Sequence, residues 1–262
     1  MSRDHDDGSP ALSGRAQALA RARHAGTLVA EPLAGSLRDI EEADALREAA
    51  EAALDWRPVG HKIGATSRAI QTRLGAAGPF HSALFAERTF ASGAQLDLPE
   101  GALGIECEIA VKIEETPARP PETLDQAARL VASVHPAIEL VGVRMPDGLR
   151  PDVRACIADF GLSVTFVFGT DVDPAALPDL AALPVTATVN GQQRASGTGA
   201  EVLGHPLNAI IYLSQALARE GRQLQGGSWV TTGTCVGIVP VRPGDLVTGW
   251  FGPLGTLEAR FR

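Results

Sequence analysis

Glu106 and Glu108 interrupt an apolar run, Gly104-Ile105-Glu106-Cys107-Glu108-Ile109-Ala110-Val111. Side chains alternate across a strand. Ile105, Cys107 and Ile109 therefore take one face, and the two carboxylates share the other. Like charges that close repel each other, and burial strengthens the effect. The pair must protonate, meet cationic side chains or bind a metal ion, unless this is simply the solvated face of an antiparallel sheet. A second apolar run, Pro136-Ala137-Ile138-Glu139-Leu140-Val141-Gly142-Val143, carries one more acid at its centre. Burying Glu139 there is costly unless a positive group, an arginine or a cation, compensates it. Three carboxylates on apolar strands suit a hard divalent ion that prefers oxygen ligands. Glu106, Glu108 and Glu139 are thus candidate ligands for Mg²⁺ or Mn²⁺.

Lysine usage adds a fourth residue. Of 23 basic side chains only Lys62 and Lys112 are lysines. Lys62 lies in the glycine-flanked stretch Val59-Gly60-His61-Lys62-Ile63-Gly64-Ala65-Thr66. A compact ammonium of adjustable pKa is something that guanidinium cannot supply, so Lys62 is a candidate catalytic group.

A net charge of −8 with no basic block argues against nucleic-acid or anionic-membrane partners. No apolar run approaches the roughly 20 residues of a membrane helix, and the polar N-terminus has no apolar signal region. A cytoplasmic protein is expected. Cys107, Cys156 and Cys235 are odd in number and lack C-x-x-C spacing, which points to small core residues rather than disulfides or zinc.

Along the chain, residues 1–12 are polar enough to be a disordered tail. A helical region is expected over 13–57, with helices from Ser13 to about His24 and from Ile40 to Leu54. In the second, Ala43, Leu46, Ala50 and Leu54 repeat every three or four residues. Residues 58–262 form the remaining, catalytic part. Ser67–Leu74, Leu124–Val131 and Pro206–Arg219 are predicted helices, and Thr66 or Ser67 caps the first of them. Strands are predicted at 95–98, 106–113, around Glu139, at 162–169, 185–190, 228–233 and 244–248, with Asn190-Gly191 marking a hairpin. Helices early and strands later define an α+β fold.

With these segments placed, the sequence resembles the 2-keto-4-pentenoate hydratase and 4-oxalocrotonate decarboxylase group of the fumarylacetoacetate hydrolase superfamily. The resemblance rests on Gly60–Thr66, Ile105–Ala110, Ala137–Arg144, Ile157-Ala158-Asp159, Gly197-Thr198-Gly199, Leu203-Gly204-His205-Pro206-Leu207-Asn208-Ala209, Trp229–Gly233 and Arg242–Asp245. It implies a mixed β-roll core with flanking helices, assembled as a homo-oligomer. It also implies metal ligation by Glu106, Glu108 and Glu139, with Lys62 as the active-site lysine, its pKa depressed beside the metal. The implied substrate is a small 2-oxo or 2-hydroxy-dienoic acid chelated through its carboxylate and C2 oxygen. The implied activity is hydration, with decarboxylation or acylpyruvate cleavage as alternatives. A weakly active subunit of a partner enzyme in the same pathway is a third option.

Three positions depart from the group's pattern. Phe80 stands where the group has an acid, Phe160 where it has an asparagine, and Leu162 where it has a serine. A greasier substrate pocket follows, lined by Thr66, Leu74, Phe80, Arg144, Phe160 and Leu162, with His81 the candidate to replace the missing acid. His205 is expected to orient the helix after it, and Tyr212 to lie in the core.

Overall fold

Two helices, α1 (Pro10–Ala25) and α2 (Ile40–Ala52), begin the computed structural model, which describes residues 10–262. Of the expected disordered tail, residues 1–9 lie outside the described residues. Residues 10–12 belong instead to α1, because proline is accepted in a helix's first turn. The chain continues as β1 (Pro58–Gly64), α3 (Arg68–Leu74), β2 (Phe80–Phe85), β3 (Thr89–Ala91), β4 (Ala94–Leu96) and β5 (Ala102–Ile113). Next come α4 (Leu124–Ala128), β6 (Val131–Gly142), α5 (Val153–Ala158), β7 (Ser163–Phe168), β8 (Pro184–Val189) and β9 (Gln192–Thr198). Last are α6 (Leu207–Arg219), β10 (Trp229–Thr234), β11 (Leu246–Trp250) and β12 (Thr256–Phe261).

Seven strands form one sheet in the order β2-β1-β10-β5-β6-β7-β3. The edge strands β2 and β3 are joined only by the single turn Ala86–Arg88. A flat sheet of this width would hold its edges about 29 Å apart, whereas the link from Phe85 to Thr89 spans about 14 Å at most. The sheet must therefore curl upon itself, with an inner and an outer face. Five further strands, β4-β12-β11-β8-β9, make a second sheet.

The outer face carries the main core. Ile63, Ile105, Cys107, Ile109, Val111, Ile138 and Val230 join Ile210, Leu213 and Leu217 of α6 and Val247, Leu257 and Phe261 of the second sheet. All three cysteines are buried and free. Each such aliphatic side chain, taken wholly from water, contributes about 1.5–3 kcal/mol. The inner face is closed at one end by an aromatic stack, with Phe168 4.2 Å from Trp229 and 5.9 Å from Phe166. The N-terminal helices cover another side, their apolar faces sharing a cluster with Phe80, Phe160 and Leu162. Arg47 of α2, fully buried, holds Glu51, whose other oxygen accepts the amide of Ala83 at 2.8 Å and so seats β2.

Local signals explain most boundaries. Asp39 accepts the amide of Glu42 to cap α2, and Ser67 accepts that of Ile70 to cap α3. Asn190 and Gly191, both at positive φ, turn β8 into β9 as a two-residue hairpin requires. The predicted helix over Leu124–Val131 stops at Ala128. Leu130 instead accepts the amide of Glu114, and Val131 pairs with Ile113, so pairing to β5 overrides helix propensity.

Candidate metal centre

β5 and β6 run antiparallel, with Glu106 opposite Glu139 and Glu108 opposite Ala137. Opposed residues share a face, here the inner one. One oxygen from each of Glu106, Glu108 and Glu139 lies within 4.8 Å of the others. Glu108 and Glu139 are fully buried, and Glu106 is partly exposed. The protein answers these charges sparsely. The amide of Gly233 donates to Glu108 Oε2 at 3.0 Å, and Lys62 Nζ stands 3.4 Å from Glu139 Oε2. Glu108 Oε1 and both oxygens of Glu139 accept no hydrogen bond among the described residues.

Burial raises the pKa of all three acids. Glu106 is pushed to about 7, with the charge of Glu139 adding and that of Lys62 subtracting. Glu108 lies well above its ordinary range, as burial is reinforced by Glu139 and Glu106. Glu139 is raised despite Lys62. Lys62, whose depressed pKa is expected beside a bound metal, shows the opposite balance without one. Burial lowers its pKa, but the three carboxylates outweigh that and raise it in the ion-free protein. Converging buried carboxylates with orphaned oxygens have the donor set that a hard divalent cation takes. The residues present fit Mg²⁺ or Mn²⁺.

A pH dependence follows. An acid whose pKa is raised on folding keeps protons that the unfolded chain has released. Its stabilising effect is complete below the ordinary value of 4.5 and is lost as pH rises to about 7, the value for Glu106. The raised pKa of Lys62 acts only at higher pH, above 10.5. Thermal melts of chelated protein should therefore fall in midpoint across this window. Saturating Mg²⁺ should flatten the fall, and a midpoint that rises with pH in chelator would contradict the cluster.

The other site residues gather unevenly. Lys62 lies opposite Ser82 in the β1–β2 ladder and opposite Thr231 in β10, which places all three on the inner face. Lys62 Nζ donates to the Gly161 carbonyl at 2.8 Å and stands 5.9 Å from the centre of the Phe80 ring. Ser82 Oγ donates to the Phe160 carbonyl at 2.8 Å. These two bonds hold the turn Phe160-Gly161-Leu162, in which all three residues have positive φ. Left-handed backbone costs about 1–2 kcal/mol for each non-glycine residue, so the turn persists because its surroundings fix it. Asp159, just before it, is fully buried, accepts the amide of Arg144 at 2.8 Å and pairs with Arg144 Nε at 3.0 Å. Arg144 is thus committed to a structural ion pair.

Thr66 is buried against Gly233, where a Cβ would come within 2.2 Å of Thr66 Oγ1. Only glycine lets that backbone approach closely enough to serve Glu108. Leu74 ends α3 and packs in the cluster that contains Phe80, Phe160 and Leu162.

His81 is not brought to the acids. It lies opposite Ile63, not Lys62, and so faces outward. Its Nε2 meets Glu220 at 2.8 Å, and its ring is 5.5 Å from that of His61. His205 accepts the amide of Leu207 and so orients α6, while Tyr212 donates to the Pro79 carbonyl at 2.6 Å from the edge of the core. Sequence reasoning overlooked Ser82, Asp159 as partner of Arg144, and Thr231, whose buried Oγ1 has no hydrogen-bond partner among the described residues. Alternation along β10 could have found Thr231, since it shares a face with Trp229 and Gly233.

Comparison with known proteins gives a consistent picture. Residues 70–262 match the fumarylacetoacetate (FAA) hydrolase C-terminal family. A 2-keto-4-pentenoate hydratase from Paraburkholderia xenovorans is 30% identical over 257 residues, covering 94% of this chain and 93% of that protein. A 4-oxalocrotonate decarboxylase from Pseudomonas putida is 30% identical over 204 residues, covering 78% of this chain and 77% of that one. Among solved structures, 4-oxalocrotonate decarboxylase from Pseudomonas putida G7, complexed with magnesium and adipate, superposes with a TM-score of 0.89. That match has 26% identity and covers 96% of this chain and 97% of the other. Fumarylpyruvate hydrolase from Pseudomonas aeruginosa shares the fold at 21% identity, with a TM-score of 0.62 over 79% of this chain and 89% of that one. A match over residues 70–262, and relatives 30% identical along most of their length, place this chain in the fumarylacetoacetate hydrolase family.

Proposed function

We propose that the chain is a Mg²⁺- or Mn²⁺-dependent hydro-lyase acting on a 2-hydroxy-2,4-dienoate or the related 2-oxo acid. The observation that carries this is the convergence of Glu106, Glu108 and Glu139 beside Lys62 on one inner sheet face. The relatives are hydratases and decarboxylases, and the magnesium complex of the decarboxylase structure supports the choice of ion.

Glu106, Glu108 and Glu139 would hold the cation. When bound, it acts as a Lewis acid that favours negative charge on the C2 oxygen of a chelated keto acid. Lys62, held by the Gly161 carbonyl, keeps its ammonium nitrogen 3.4 Å from Glu139 Oε2, beside the acids that would hold the cation. It thereby orients a substrate carboxylate and carries a proton to or from the conjugated chain. Phe80 and the Phe160–Leu162 turn supply an apolar wall that excludes bulk water and strengthens these charge interactions.

A second reading, decarboxylation on the same cation, is favoured by one observation. Phe80 offers no proton, and His81 faces away from Lys62, so neither residue supplies the acid that hydration of a distal carbon would use. Loss of carbon dioxide needs no activated water. The purified chain with Mg²⁺ should be given 2-hydroxypenta-2,4-dienoate and 4-oxalocrotonate separately, with products weighed by mass spectrometry. Gain of water supports the first reading and loss of carbon dioxide the second. An absence of turnover on both, in protein shown to bind the ion, rejects both.

A further inference from the structure

A cavity of about 270 Å³ lies between the end of α1 and the strands β6 and β7, apart from the acid cluster. Three guanidinium groups line it: Arg23, Arg88 and Arg144. Arg23 and Arg144 are both more than nine-tenths buried. They converge on one acceptor, the Ser163 carbonyl, to which Arg23 Nη1 donates at 3.0 Å and Arg144 Nη2 also donates. Both guanidiniums also stand over the Phe160 ring, at 4.5 and 5.2 Å. Arg88 stacks on Trp56 at 4.6 Å.

The negative charge available here does not match. Asp159 is taken by Arg144, and Asp97, at the rim, pairs with Arg262 at 2.7 Å. Glu100, also at the rim, makes no ion pair among the described residues, and neither Arg23 nor Arg88 has a carboxylate within ion-pair distance there. Arg23 Nε is buried with no hydrogen-bond acceptor among the described residues. Aromatic faces offset part of the desolvation of a guanidinium, but buried charges are ordinarily paired. Burial and the charge of Arg144 lower the pKa of both Arg23 and Arg88, and in Arg23 the more distant charges of Glu51 and Asp159 oppose this without overcoming it.

We propose that this cavity is a binding site for a small, multiply charged oxyanion, gripped by Arg23 and Arg88 with Arg144 at its back. Guanidinium forks match the geometry of phosphate and carboxylate oxygens. Occupancy would relieve the repulsion between Arg23 and Arg144 and so brace the Phe160–Leu162 turn through Asp159. The site stands independently of the reaction assigned to the acid cluster.

Calorimetric titration of the chelated, full-length protein at low salt tests this, with inorganic phosphate and succinate as separate probes. One-site saturable binding of either supports the proposal, and the better probe identifies a phosphoryl or a dicarboxylate ligand. Arg88→Gln, at a half-exposed position, should weaken binding about tenfold or more, and Arg23→Gln should do likewise if it folds. Glu106→Gln should leave anion binding unchanged. Absence of saturable binding with both probes, retention of full affinity in Arg88→Gln, or loss of binding in Glu106→Gln would each overturn the assignment.

Discussion

Glu108→Gln should abolish divalent-ion binding and lower turnover by at least about a thousandfold, the rate equivalent of roughly 4 kcal/mol of lost charge stabilisation. The same change should make the ion-free protein more stable. Glu108 is fully buried, is raised in pKa by burial and by two neighbouring carboxylates, and has one oxygen that no donor satisfies among the described residues. An amide removes the charge while keeping an acceptor for the Gly233 N–H, which donates at 3.0 Å. Calorimetric Mg²⁺ titration, steady-state assay and melts in chelator at neutral pH together check this. A melting point that drops in chelator would show that Glu108 stabilises the fold without an ion, contrary to the reading of the site. Stability gained where activity is lost is the usual signature of a strained functional group.

Asp159→Ala should be the most damaging substitution to the fold, by about 3–5 kcal/mol, because it leaves a buried arginine without its counter-charge. Arg144 loses both its 3.0 Å ion pair and the acceptor of its own amide. The left-handed turn that follows keeps its main-chain bond from Leu162 to the carbonyl of residue 159 but loses the side-chain tether to Arg144 that fixes where it starts, and with it the position of the Gly161 carbonyl to which Lys62 donates. Activity should fall even in the fraction that remains folded. Urea titration measures the first effect, and turnover per folded molecule the second. Asp159→Asn keeps the acceptor and should cost less. Equal losses for the two variants would mean that shape rather than charge sets the value of this pair.

Much of this was legible in the linear sequence, for identifiable reasons. Carboxylates alternating with Ile105, Cys107 and Ile109 had to share a face, and strand pairing then set Glu139 opposite Glu106. The α6 stripe and the Asn190-Gly191 turn are equally local signals. What depended on distant partners stayed hidden. β1 is short and glycine-flanked, and it becomes a strand only because β10 and β2 pair with it on either side. α5 is a six-residue helix capped by Asp152, too brief for its periodicity to show. His81 was misjudged in a way that alternation could have corrected. If Phe80 occupies the position of a group facing the substrate, its immediate neighbour must point to the other side.

The curled sheet separates two tasks. The acids ride on a continuous hydrogen-bonded ladder in mid-strand, while Phe80 opens β2 and Leu162 ends a turn just before β7. Spacing among the oxygens is therefore inherited from backbone register, and the shape around the far end of a ligand from residues at strand termini. The second can be remodelled without disturbing the first, so single substitutions at the rim can reshape what fits there while the acid cluster keeps its spacing.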